Sequence, residues 1–119
     1  MKIETHHINK TKIAEVISTD LLIKKAEDIL DLLGNLYYQD FDKIIIHQHH
    51  ITPDFFDLKT GIAGDILQKF SNYRVRLAIV GNFTHYTSKS INDFIFESNK
   101  AGQINFVNST EEAIGKLTK

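Results

Sequence analysis

The run Lys43-Ile44-Ile45-Ile46-His47 constrains this chain more than any other segment. Three successive isoleucines leave no alternating polar face, and β-branched side chains favour an extended backbone. Such a run suits a central strand covered on both faces. A second segment of the same kind is Arg74–Val80, with Val75, Leu77, Ala78, Ile79 and Val80. Strands of this type need helices packed on the sheet, so the fold class expected is α/β. At 119 residues the chain has room for one domain, 1–119, with no second core.

The other elements follow from periodicity. Lys2–Ile8 and Lys12–Ile17 alternate, with Asn9-Lys10 as a hairpin turn between them, and predict two antiparallel strands. Ala26, Ile29, Leu30, Leu33 and Leu36 or Tyr37 recur at helical spacing. Leu21-Leu22-Ile23 reads as a loop plugging the core edge. The segment from Thr60 to Phe70 predicts a helix with Ile62, Ile66, Leu67 and Phe70 as its apolar stripe. A helix capped at Ser88 or Ser90 runs to about Asn99, with Ile91, Phe94, Ile95 and Ser98 inward, and Ala101-Gly102 ends it. Ile104–Val107 is a last strand, and Ser109-Thr110-Glu111-Glu112-Ala113 opens a last helix with a hydroxyl cap and acids in the first turn. The order expected is β-β-α-β-α-β-α-β-α, a small mixed sheet with packed helices.

Composition excludes several functions. The chain has 14 Lys+Arg against 15 Asp+Glu and no cysteine. That balance gives no broad electrostatic footprint for nucleic acid, and none is expected as a partner. Lacking cysteine, it has no disulfide framework, no thiol catalysis and no cysteine-ligated zinc. No apolar stretch approaches the ~20 residues of a membrane-spanning helix, and Met1-Lys2-Ile3-Glu4 has no signal-peptide core. A cytoplasmic protein without membrane association is the expectation.

The segment Asp57-Leu58-Lys59-Thr60-Gly61-Ile62 resembles the Asp-Ser-Ser-Gly-Leu-like turn of the STAS fold, found in anti-anti-sigma factors and the cytoplasmic tail of sulfate transporters. The order from strand Leu77–Val80 through helix Phe94–Ala101 and strand Ile104–Val107 to the helix opened by Ser109 is similar too. The resemblance implies a STAS-like α/β fold and a regulatory, protein-binding role. It places Thr60 where the anti-anti-sigma branch carries a phosphorylated serine. A closer resemblance is to a bacterial family named domain of unknown function 4180. Phe55-Phe56-Asp57-Leu58, Thr60–Phe70, Asn72-Tyr73-Arg74 and Phe94-Ile95-Phe96-Glu97-Ser98-Asn99 carry it. It implies membership and no activity.

Five constellations bear on function. Thr60-Gly61 at a helix start reads as an N-cap or, with Asp57 and Lys59 beside it, as a phosphoacceptor or anion-contact site. His47, His49 and His50 follow one strand and His85 the next. If those strands are parallel neighbours, the histidines share the edge where open α/β folds bind ligands. With Asp54 or Asp57 they could ligate zinc or sense pH, but the spacing matches no dedicated zinc motif, and neither metal nor cofactor is expected. His6 and His7 straddle the first strand and receive no role. Phe55-Phe56 either staples its loop to the core or offers an interaction surface. Gln68-Lys69, Asn72-Tyr73-Arg74 and Arg76 read as a solvated helix end. No nucleophile elbow, Walker loop, dinucleotide fingerprint or His-Glu-x-x-His occurs.

The expected function is therefore a non-enzymatic regulatory module. It would dock a protein partner through Thr52–Lys59 and the helix from Thr60. The alternative is a small-molecule or metal binder, or a minor enzyme, using His47, His49 and His85. A third reading is self-association through the edge strand Lys2–Ile8.

Overall fold

The computed structural model describes residues 1–70 and 74–119. A five-stranded sheet runs β1 (Lys2–Ile8), β2 (Thr11–Ile17), β3 (Lys43–His47), β4 (Arg76–Val80) and β5 (Ile104–Val107), each beside the next. β1 and β2 form an antiparallel hairpin, and the remaining pairs are parallel. The hairpin turns at Asn9, which takes a left-handed φ of 56° that asparagine tolerates well. Four helices join or follow the strands: α1 (Ala26–Tyr38), α2 (Ile62–Phe70), α3 (Lys89–Ala101) and α4 (Thr110–Leu117). Between β3 and α2, where the sequence reads as irregular, the chain makes three short 3₁₀ turns, Gln48–His50, Pro53–Phe56 and Leu58–Thr60.

Each crossover steps to the next strand in the same direction. A single handedness then puts α1, α2 and α3 on one face of the sheet. Their side chains share one core with the strands: Ile29, Leu33 and Leu36 of α1, Ala63 and Ile66 of α2, and Ile91 of α3 pack with Ile44, Ile46, Leu77, Ile79 and Phe106. In α1 the buried residue is Leu36, while Tyr37 points outward. Ile23 plugs the core edge, forming an isolated parallel bridge with Ile51.

The opposite face is left to α4. Ala113 and Leu117 close over Ile13, Ile45, Ala78 and Val107. Ser109 Oγ caps the helix by accepting from the Glu112 amide at 3.1 Å. α4 packs on β3, β4 and β5, so the β1–β2 end of this face is only partly covered. Ile8 and Ile17 stay 37% and 38% exposed there.

Arg76 is a correction to the sequence reading. Its guanidinium is no solvated cation. Nε donates to the Gly102 carbonyl, Nη2 to Lys116 and Nη1 to Lys119, at 3.0–3.2 Å. It neutralises carbonyls at the C-terminal ends of α3 and α4, where the helix dipole favours a cation. Of the neighbouring residues read with it, Asn72 and Tyr73 lie outside the described residues.

Candidate functional site

The loops after β3 and β4 meet at the carboxyl end of the parallel strands, the edge where open α/β sheets place their sites. Gln48 joins them. Its Oε1 accepts from the Asn82 amide at 3.1 Å, and its Nε2 donates to the Tyr86 hydroxyl at 3.3 Å. This requires glycine at position 81. A Cβ there would sit 2.5 Å from Gln48 Oε1 and 2.6 Å from Gln48 Cβ. Gly81→Ala is therefore expected to cost about 1–3 kcal/mol through overpacking, read as a lower urea midpoint. An unchanged midpoint would mean that the two loops are not locked in this way.

Phe55 and Phe56, which the sequence reads as either a core staple or an interaction surface, lie inside the protein. They are 2% and 7% exposed. Phe55 packs edge-on against Phe56, and Phe56 stacks on Tyr86 with ring centres 4.8 Å apart. The rings anchor the loop from beneath and leave its polar rim to face solvent. Two clefts flank Phe56. One, of about 310 Å³, runs between Asp57-Leu58-Lys59 and Ser88, Ser90 and Ile91. The other, of about 290 Å³, is lined by Leu21, His49, Ile51, Pro53 and Tyr86. A larger cleft of about 410 Å³ lies among Lys10, Lys12, Tyr37, Asp40 and Lys43. Its cations are partly engaged: Lys12 lies over the Phe41 ring and donates to the Gln39 carbonyl, and Lys43 pairs with Asp42.

Thr60 lies two residues before α2 and touches its start only weakly, Oγ1 accepting from the Ile62 amide at 3.4 Å. The helix begins at Ile62, and its first backbone bond runs from the Asp65 amide to the Gly61 carbonyl at 2.9 Å. Gly61 has a left-handed φ of 77°, which separates the last 3₁₀ turn from the helix and strains any other residue. The shorter contacts of the Thr60 hydroxyl run back into the loop. Oγ1 donates to the carbonyls of Asp54 at 2.7 Å and Asp57 at 2.9 Å. Asp57 Oδ1 accepts from the Lys59 amide at 3.2 Å and caps the same turn. Asp57, Lys59, Thr60 and Gly61 are all exposed. The four predicted residues thus form one continuous surface turn, with Thr60 as its clamp.

The histidines after β3 and β4 lie in separate environments. His49 and His50 both direct Nε2 to the Ser18 carbonyl, at 2.9 and 3.0 Å. His50 Nδ1 accepts from the His47 amide at 3.0 Å, so both ring nitrogens are used and the neutral ring is the form that fits. Burial lowers the His50 pKa, outweighing the hydrogen bond to Ser18 that raises it. His85 is exposed and packs on the Tyr86 ring, 4.1 Å between centres. Among the described residues, no group of three or more His, Asp or Glu is disposed to hold a metal ion.

His47 belongs to a site that sequence reasoning missed. Its Nε2 lies 2.7 Å from Glu15 Oε2, and His6 Nε2 lies 2.8 Å from Glu15 Oε1. Glu15 is 6% exposed, at the partly covered end of the sheet beneath the start of α4. Register explains the meeting. Glu15 pairs with Ile45 on one side and Glu4 on the other, so His47 and His6 are its diagonal neighbours on the same face. Burial pushes the Glu15 carboxyl up, but the hydrogen bonds and charge of His6 and His47 outweigh it, and the net shift is downward. The only sequence signal was an acid inside a strand flanked by apolar residues on both sides.

A family model described as Domain of unknown function (DUF4180) matches residues 8–117. The chain belongs to this family. The matched span takes in all five strands except most of β1, together with the four helices and the turn at Asp57–Gly61. No curated protein and no solved structure matches the chain. Among the described residues of this family member, no helix is long and apolar enough to cross a membrane.

Proposed function

We propose that this DUF4180 domain is a non-enzymatic, cytoplasmic regulatory module with a STAS-like fold, which docks a protein partner at the rim of the Thr52–Lys59 loop. Thr60 is its switch. The observation that carries this reading is the double donation from the exposed Thr60 hydroxyl to the Asp54 and Asp57 carbonyls. Transfer of a phosphoryl group from a nucleoside triphosphate to Oγ1 replaces the proton that makes both bonds. It also adds about −1.5 to −2 charge beside Asp57. The clamp opens, the turn at Leu58–Thr60 rearranges, and the cleft between Asp57-Lys59 and Ser88-Ser90 changes shape. The STAS resemblance supports the same position, since the anti-anti-sigma branch is phosphorylated at the like place.

The direct test is intact-mass spectrometry of protein from its native cells, with the modified residue mapped. A phosphate on Thr60 supports the switch; modification elsewhere, or none across growth conditions, overturns it. The clamp itself is tested by Thr60→Val, which keeps the β-branched shape and removes the hydroxyl. It is expected to cost about 0.5–1.5 kcal/mol and to speed amide hydrogen exchange at Asp57, Thr60 and Gly61, whose N–H groups close these turns. Unchanged exchange would remove the mechanism.

A further inference from the structure

The outer edge of β1 has no partner strand among the described residues. Strand edges are ordinarily blunted by bulges, proline or inward-pointing charge. β1 has neither bulge nor proline, pairing with β2 without a break over Lys2–Ile8, and its charged side chains, Lys2 and Glu4, are ones that a second copy can match. We infer that this edge pairs with the same edge of a second copy of the chain, antiparallel, about a two-fold axis at Thr5.

Symmetry and charge select that register. Opposed residues in an antiparallel pair share a face, and a two-fold axis perpendicular to the sheet preserves faces. The axis must therefore pass through a residue. Thr5 is the midpoint of Lys2–Ile8, so an axis there pairs the whole strand. It sets Glu4 of each copy opposite His6 of the other, twice over. Moving the axis to Glu4 or His6 shortens the overlap and opposes like side chains. In the isolated chain Glu4 faces another acid, Glu15, across the β1–β2 ladder. Pairing of copies gives it an imidazole on the other side, joining the His47–Glu15–His6 array of each copy to that of the next. The same register lays the stem of Lys2 over the partly exposed Ile8 of the other copy.

The backbone is available for this pairing. The two-residue turn closes at Ile8 and Thr11, so alternation turns the N–H and C=O groups of Ile3, Thr5 and His7 outward. The product is a continuous sheet of twice five strands, with the two partly covered faces side by side between the α4 helices.

Sedimentation equilibrium of the full chain tests this. The expected mass at high concentration is twice 13.6 kDa. Thr5→Pro removes an outward N–H at the axis and is expected to give the monomer mass with unchanged far-UV circular dichroism. Glu4→Lys removes the carboxylate from both Glu4–His6 pairs and is expected to weaken the dimer roughly tenfold or more; it decides the matter if the proline variant does not fold. A wild-type monomer at every concentration, or a dimer that withstands the folded variants, overturns the inference.

Discussion

Phe55→Ala is expected to lower the free energy of unfolding by about 3–5 kcal/mol, the usual range for removing a fully buried phenyl ring. Phe55 is 2% exposed, and its ring lies 4.9 Å from Phe56, 6.2 Å from Phe106 and 6.3 Å from Phe94, centre to centre. Truncation removes its apolar surface and leaves a cavity among Phe56, Phe94 and Phe106. The loss should appear as a lower urea midpoint with an unchanged slope, because the area exposed on unfolding barely alters. A cost below about 1 kcal/mol would instead be typical of a surface position, and would mean that the ring is not packed as described. The residue pair was legible in sequence as either a staple or an interaction surface. The structure decides for the staple, and so moves the proposed docking rim to the polar residues that the two rings hold in place.

Glu15→Ala is the second large effect expected. The substitution leaves the Nε2 groups of His6 and His47 without their acceptor in a site where those side chains are only 21% and 22% exposed. Stranding such donors costs about 1–3 kcal/mol. The variant should also alter the acid side of the stability curve. The Glu15 carboxyl is held below its ordinary value of 4.5 in the folded protein. Its contribution is present above that value and is lost as pH falls from there through the folded pKa. His50 works in the same direction at higher pH. Its folded pKa lies below the ordinary value of 6.5, so on acidification below 6.5 the unfolded chain takes up a proton that the folded chain refuses. Stability is then lost between 6.5 and the folded value. The wild type should lose stability in two stages on acidification, the first below 6.5 and the second below 4.5. Glu15→Ala should abolish the second stage and keep the first. Urea unfolding at a series of pH values reads both, and an acid limb identical in wild type and variant would contradict the role given to Glu15.

Much of the fold was legible because burial leaves a period in the sequence. The strand Ile104–Val107 and the hydroxyl cap at Ser109 were read at the residues where they occur. Lys43–His47 announced a strand covered on both faces through composition alone, and Ile44, Ile45 and Ile46 are all fully buried. The start of α2 was misplaced at Thr60 because a hydroxyl followed by glycine imitates an N-cap. The intervening 3₁₀ turn and the left-handed Gly61 leave no periodic trace.

The candidate sites divide along the same line. Asp57, Lys59, Thr60 and Gly61 are contiguous in the chain, so sequence alone brought them together and named the turn. Their hydrogen bonds, above all those from Thr60 to Asp54 and Asp57, depend on how three short turns fold upon one another. Glu15 meets His47 across 32 residues and His6 across 9, and Arg76 reaches carbonyls 26 to 43 residues away. Side-chain period says which face of an element is buried. It does not say which strand lies alongside or in what register, and a slip of one residue would send Glu15 to the opposite face. Sequence by itself determined the elements and the inward face of most of them. Strand order, register and the long crossovers decided which polar groups meet, because those contacts come from the pairing of distant segments and not from any local pattern.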